Sequence, residues 1–293
     1  MNQILCKWTK SFCFCLMLPI ALLATDLKPW FSKDFELQPG TSLLYQHYDY
    51  VAAPYKSVRH RGRDGFYSLS MGLSALDYSG EVEGILARTR RQKFDCDSLK
   101  LTGRYRLMND LVGDPVSLTG GITVIQAFKH SVTDISSFHH GEIEMEIHAA
   151  AGKEETSENI WSSRQWGLIG IGMADRGWPW LRTHTAWEKN FCDRYQLGFF
   201  IETLWGFGKR SLHRDCPFHG YGSINHQSVD IGVKYQCQNL YGRLTFEARY
   251  RAYARNFPKQ TAQFLIQMVF PISPADWLPT QFLLRQISMK ECK

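Results

Sequence analysis

From residue 41 onward one pattern constrains the fold of this chain. Apolar and polar residues alternate with a period of two, in segments of about 9–11 residues, roughly twelve times over. Residues 98–107 set Leu99, Leu101, Gly103, Tyr105 and Leu107 against Lys100, Thr102, Arg104 and Arg106. Residues 141–149 set Ile143, Met145 and Ile147 against Glu142, Glu144, Glu146 and His148. In residues 241–253, Leu244, Phe246, Ala248, Tyr250 and Ala252 oppose Thr245, Glu247, Arg249 and Arg251. A helix would scatter Glu142, Glu144 and Glu146 over three sides, whereas a strand puts them on one wall. The strands expected are 43–50, 66–75, 80–89, 98–107, 116–128, 141–151, 165–174, 180–188, 194–206, 228–237, 241–253 and 261–270. Turn residues separate them, as in Asp77-Tyr78-Ser79-Gly80, Gly113-Asp114-Pro115 and Gly177-Trp178-Pro179.

Strands of this length suit a tilted crossing of a bilayer, whereas soluble sandwich strands are commonly about 5–6 residues. The polar faces are densely charged and the apolar faces run on through nearly every segment. Lipid on the outside and a polar interior satisfy both faces, and closure leaves no strand edge open. The fold class expected is therefore all-β: a closed up-and-down antiparallel transmembrane barrel of about 12 strands, within about 10–14. A periplasmic or secreted β-sandwich is the fallback if the mature chain stays in water without detergent.

Residues 1–24 carry Lys7 and Lys10, then a roughly 14-residue apolar stretch ending in small residues at Ala21 and Ala24. This reads as a cleaved signal peptide, followed by a periplasmic lead-in at 25–42, the barrel at 43–270 and a periplasmic extension at 271–293. Loss of Lys7 and Lys10 lowers the net charge from +6 to +4, too small and scattered an excess for nucleic acid. Cys6, Cys13 and Cys15 leave with the signal, while Cys96, Cys192, Cys216, Cys237 and Cys292 remain. An odd number in an oxidising compartment allows one or two local disulfides, or a disulfide-linked partner through Cys292. No CxxC pair or Cys/His cluster has zinc spacing, so no metal and no cofactor are expected.

Threading the strands with both termini in the periplasm puts most of the longer loops outside. Tyr67, Trp205 and Tyr250 then fall at the outer interface, and Tyr105, Trp187, Tyr195, Tyr235 and Phe270 at the inner one, as aromatic girdles. With its signal peptide, its alternation and a last strand ending at Phe270, the chain resembles the bacterial outer-membrane β-barrel proteins and is porin-like in architecture. The resemblance implies an outer-membrane location. It also implies that Phe264, Ile266, Met268 and Phe270 form the signal read by the barrel-assembly machinery. It carries no catalytic residue.

The side chains expected to line the interior are Glu81, Glu83, Lys100, Arg104, Arg106, Glu142, Glu144, Glu146, His148, Arg182, His184, Glu202, Glu247, Arg249 and Arg251. Acidic and basic walls facing each other across water would orient small polar solutes and set ion preference, making a channel. The alternative is that these charges pair and fill a narrow interior, leaving a structural or adhesive barrel with loop 207–227 as its contact. A lipid-modifying enzyme is disfavoured: there is no GxSxG elbow and no diagnostic Ser–His spacing, although His148 and His184 point inward. His139 and His140 stand together in an outer loop. Arg88, Arg90, Arg91 and Lys93 make a basic loop suited to the phosphates of surface glycolipid. The tail after Phe270 reads as a periplasmic plug or an interfacial segment.

Overall fold

A computed structural model describes residues 27–53, 57–157, 160–212, 217–239 and 242–273. The strands are β1 (Glu36–Val51), β2 (Val58–Ala75), β3 (Tyr78–Arg88), β4 (Asp95–Met108), β5 (Ser117–Ala127), β6 (Ile143–Ser157) and β7 (Ile160–Ala174). They continue with β8 (Trp180–Phe191), β9 (Tyr195–Gly206), β10 (Gln227–Gln238), β11 (Arg243–Arg255), the two-residue β12 (Pro258–Lys259) and β13 (Ala262–Val269). Each long strand pairs antiparallel with the next, and β1 closes the ring by pairing with both β2 and β13. Setting β12 aside, as an addition to the outer end of β1, twelve strands form the barrel. Closure gives every strand two partners, which is what hydrocarbon demands of a backbone.

The molecule is apolar outside and polar inside. Leu69, Met71, Leu101, Ile147, Ile171, Ile201 and Ile266 are all exposed, while Gln46, Asp64, Glu83, Thr119, Glu144 and Thr245 are buried. The expected alternation is therefore present, with its apolar face turned outward. Exposed aromatics mark both rims: Phe94, Trp205, Tyr250 and Tyr253 near the outer, Tyr78, Tyr105, Trp187, Tyr195 and Tyr235 near the inner.

The largest extensions beyond the expected spans are in β1, which starts at Glu36 rather than 43, β2, at Val58 rather than 66, β6, which reaches Ser157 rather than 151, and β7, which starts at Ile160 rather than 165. Apolar alternation marks only the part of a strand that faces hydrocarbon. Ladder hydrogen bonding continues beyond it, as in the pairing of Glu36–Pro39 with Ser74–Met71. Residues 36–42 of the expected lead-in thus belong to the barrel wall.

Residues 27–35 are no free lead-in either, because they enter the inner mouth. Lys28 Nζ pairs with Glu188 at 2.7 Å, and Arg104 donates to the Lys28 carbonyl at 2.9 Å. Trp30 Nε1 donates to Asp110 at 2.9 Å, its ring lies under Arg164, and Phe31 lies under Arg104 and Arg106. Leu27 is buried with Ala150, Trp166 and Leu168.

At the outer mouth two loops fold inward, residues 128–142 and, of the second loop, residues 207–212 and 217–226. Backbone bonds join them, from Tyr221 N–H to the His139 carbonyl (2.8 Å) and from Gly222 N–H to the His140 carbonyl (3.1 Å). Beneath, Tyr48, Val51, Leu212, Tyr221, Ile224 and Phe257 form the largest apolar cluster, with Phe138 packed on Phe257 at 4.8 Å between ring centroids. Residues 1–24, where a signal peptide is expected, with Cys6, Cys13 and Cys15, and likewise Cys216, Cys292 and all of the expected extension beyond Ser273, lie outside the described residues.

Candidate functional site

The period-two register fixes which side chains meet inside the barrel. Lys100 on β4 pairs with Glu83 on β3 at 3.1 Å, and Arg251 on β11 grips Asp230 on β10 through two bonds of 2.7 and 2.8 Å. Two other pairs skip a strand. Arg182 on β8 reaches Glu146 on β6 at 2.6 Å, across Gly170 of β7. Arg249 on β11 reaches Glu202 on β9 at 3.3 Å, across Gly232 of β10, and holds Glu247 at 2.5 Å. Packing requires glycine at both positions: a Cβ at Gly170 would strike the Glu146 carboxylate, and one at Gly232 would land in the Phe200 ring, over which Arg249 lies. Gly232→Val is expected to be among the most destabilising interior changes, overpacking at about 1–3 kcal/mol or more. A thermal melt followed by the loss of heat-sensitive gel mobility would show it, and an unchanged midpoint would remove this role.

Charges therefore compensate along the wall instead of facing one another across open water. Above these pairs and below the outer loops lies a cavity of about 360 Å³. Ser42, Ser68, Gln46, Gln263 and Ser228 meet the ion pairs there, with Phe66, Phe138 and Phe257 between them. The Gln263 Oε1 atom is buried without a hydrogen-bond partner among the described residues. Beside Arg249, which lies over Phe200, the rings of Trp166, His184 and Phe200 stack in sequence, with centroids 4.7 and 5.3 Å apart. A second, smaller cavity of about 140 Å³ runs beside the N-terminal segment at the inner end.

Histidines organise the outer cap. His139 is buried between two carboxylates, with Nε2 at 2.8 Å from Asp97 and Nδ1 at 3.1 Å from Glu144. Burial alone would lower its pKa; the two carboxylates override that and raise it to about 10. His140 stacks on Trp180 at 3.8 Å and meets His226 of the other loop, Nε2 to Nε2, at 3.2 Å. Burial first, then the neighbouring His140, push His226 down to about 3. His226 Nδ1 donates to the Ile224 carbonyl, so its Nε2 accepts from His140.

The described chain is similar in fold to the crystal structure of the COG4313 outer membrane channel from Pseudomonas putida F1. Sequence identity is 10% and the TM-score 0.63, over 85% of this chain and 100% of that one. The fold is that of an outer-membrane barrel. Also similar are the KdgM porin (8% identity, TM-score 0.49, 80% and 100% covered) and the translocator domain of autotransporter NalP from Neisseria meningitidis (11%, 0.48, 83% and 89%). No protein-family model and no curated protein matches the sequence.

On this outer-membrane barrel fold, Glu83, Arg104, Glu144, Glu146, His148, Glu247 and Arg251 are buried on the interior side, and Glu81, Lys100, Arg182, His184, Glu202 and Arg249 are half-buried there. Two of the expected lining residues are elsewhere. Glu142 precedes β6 at the outer rim, half-buried and paired with Arg176 at 2.6 Å, because the strand starts only at Ile143. Arg106 is drawn to the inner turn by Asp77, at 3.0 Å, and by the Leu76 carbonyl. Arg91 turns from the basic loop into the cap, donating to the Thr133 carbonyl at 2.5 Å. Neither nitrogen of His148 has a hydrogen-bond partner, and His184 Nδ1 faces Glu202 at 3.7 Å, so among the described residues neither ring contacts a hydroxyl nucleophile. The histidine cap and the N-terminal segment eluded sequence reading, since nothing in a loop's composition says that it folds inward.

Proposed function

We propose that the chain is a channel of the outer membrane for small polar solutes. The observation that carries this is a polar, charge-lined interior with a cavity, enclosed by a closed barrel whose exterior is apolar. A lipid bilayer is then its surrounding partner. The barrel-assembly machinery is the partner that reads Phe264, Ile266, Met268 and Phe270, and export through a signal peptide at 1–24 delivers the chain. Compensation of the interior charges supports weak ion preference, because a solute entering between paired walls meets little net field.

Residues 27–35 serve in this reading as an inner plug. Refolded protein in a planar bilayer is expected to show discrete steps, and deletion of residues 27–35 to enlarge them severalfold. Occupation of both mouths favours a second reading, a closed structural barrel. Silence from a folded barrel, with and without residues 27–35, would establish that reading and remove the channel.

A further inference from the structure

The outward face of β2 changes chemistry part-way along the strand. Odd-numbered residues point away from the interior from one end to the other, and Leu69, Met71 and Leu73 are exposed there as lipid-facing residues. Tyr67 follows, packed edge-on against Phe94 of the next loop at 5.4 Å, an aromatic pair of the kind that marks the edge of the hydrocarbon. Beyond it the same face carries Arg63, Arg61 and Arg59, all exposed. Arg63 is about 13 Å further along the strand than Tyr67, and barrel tilt brings it to headgroup depth.

Arg88, at the outer end of β3, joins this face. It pairs in register with Gly65, which has open space where a Cβ would stand, so a notch lies between Tyr67, Arg63 and Arg88. Arg61 has a counter-charge in Asp49 at 2.9 Å, while Arg59, Arg63 and Arg88 have no ion pair among the described residues. Like charges clustered on one sheet face repel, and an anion across them relieves the repulsion. All four are arginines, whose planar forks bind phosphate bidentately.

We infer that this face binds the phosphate groups of phosphorylated glycolipid in the outer leaflet, with Arg59, Arg63 and Arg88 as the principal contacts. It rests on the membrane reading of the barrel, and not on any channel activity. It keeps Arg88 of the basic loop expected from sequence and adds Arg59 and Arg63 on the outward face of β2.

The test is native mass spectrometry of the refolded full chain released from vesicles containing phosphorylated lipid A or its dephosphorylated form. The wild type is expected to retain the phosphorylated lipid selectively. The triple variant R59Q/R63Q/R88Q, altered only at exposed positions, is expected to hold it about tenfold less or weaker still. Gel mobility and conductance of the variant report folding and channel activity separately. Equal retention of the two lipids, or unchanged retention by the variant, would overturn the inference while leaving the channel standing. Displacement of the lipid by millimolar inorganic phosphate, or an arginine-dependent dimer in its place, would equally overturn it, by showing a free-ion site or a self-contact.

Discussion

Conductance of the refolded barrel is expected to be lowest near neutral pH and to rise on both sides. The cap holds two buried histidines shifted in opposite directions from 6.5, His139 up to about 10 and His226 down to about 3. A raised pKa stabilises the closed cap fully below 6.5, and that stability is lost as pH climbs from 6.5 toward 10. A lowered histidine pKa works the other way: closure requires the neutral ring, so stability is lost as pH falls from 6.5 toward 3. Each group costs about 1.4 kcal/mol per pH unit inside its window, so the cap loses about 2 kcal/mol by pH 5 and about the same by pH 8. The acid limb has a plain geometric cause, since protonated His226 would set one N–H against another across the 3.2 Å contact with His140. Around that contact stand Glu144, which faces both His139 and His140, Asp97 on the far side of His139, Trp180 beneath His140, and Arg251, whose charge adds to the lowering of His226. His226→Phe should abolish the acid limb alone and His139→Gln the alkaline limb alone. A conductance flat from pH 4 to 9.5 would sink the mechanism.

Glu144→Ala is expected to release the cap at neutral pH. One carboxylate accepts from the His139 ring, from the His140 backbone N–H at 2.7 Å and faces the His140 ring at 3.4 Å. Removing it strands a buried imidazolium with Asp97 as its remaining partner, a loss of about 3–5 kcal/mol. The barrel ladder is untouched, so gel mobility should stay native while loop 207–226 becomes open to protease. Glu144→Gln, which can still accept from the His140 backbone, should lie between the two. Protection equal to the wild type would show that the apolar cluster of Tyr48, Tyr221, Ile224 and Phe257 holds the cap unaided.

Much of the architecture was legible in the chain because lipid imposes a simple rule on every strand. Leu99, Leu101, Tyr105 and Leu107 had to share a face, and their exposure in the structure follows from that alternation. The glycines at 170 and 232 were less legible: a sequence shows small residues in strands, but not that the Glu146 carboxylate and the Phe200 ring fill the space above them. The strand position of Arg59, Arg61 and Arg63 is hidden in the sequence for a different reason. They lie beyond the hydrocarbon, where outward residues turn polar and the alternation that signals a strand fades, so that stretch read as loop.

Sequence by itself determined an up-and-down barrel of about twelve strands with its inward and outward faces, since each follows from local period-two chemistry against a bilayer. Tertiary structure alone decided that residues 27–35 enter one mouth, that residues 128–142 meet residues 217–226 over the other, and that interior charges pair along the wall. Those contacts join residues far apart in sequence, such as Lys28 with Glu188 and His140 with His226. Their free energy depends on burial and distance, and neither is written into the order of residues until the ring has closed.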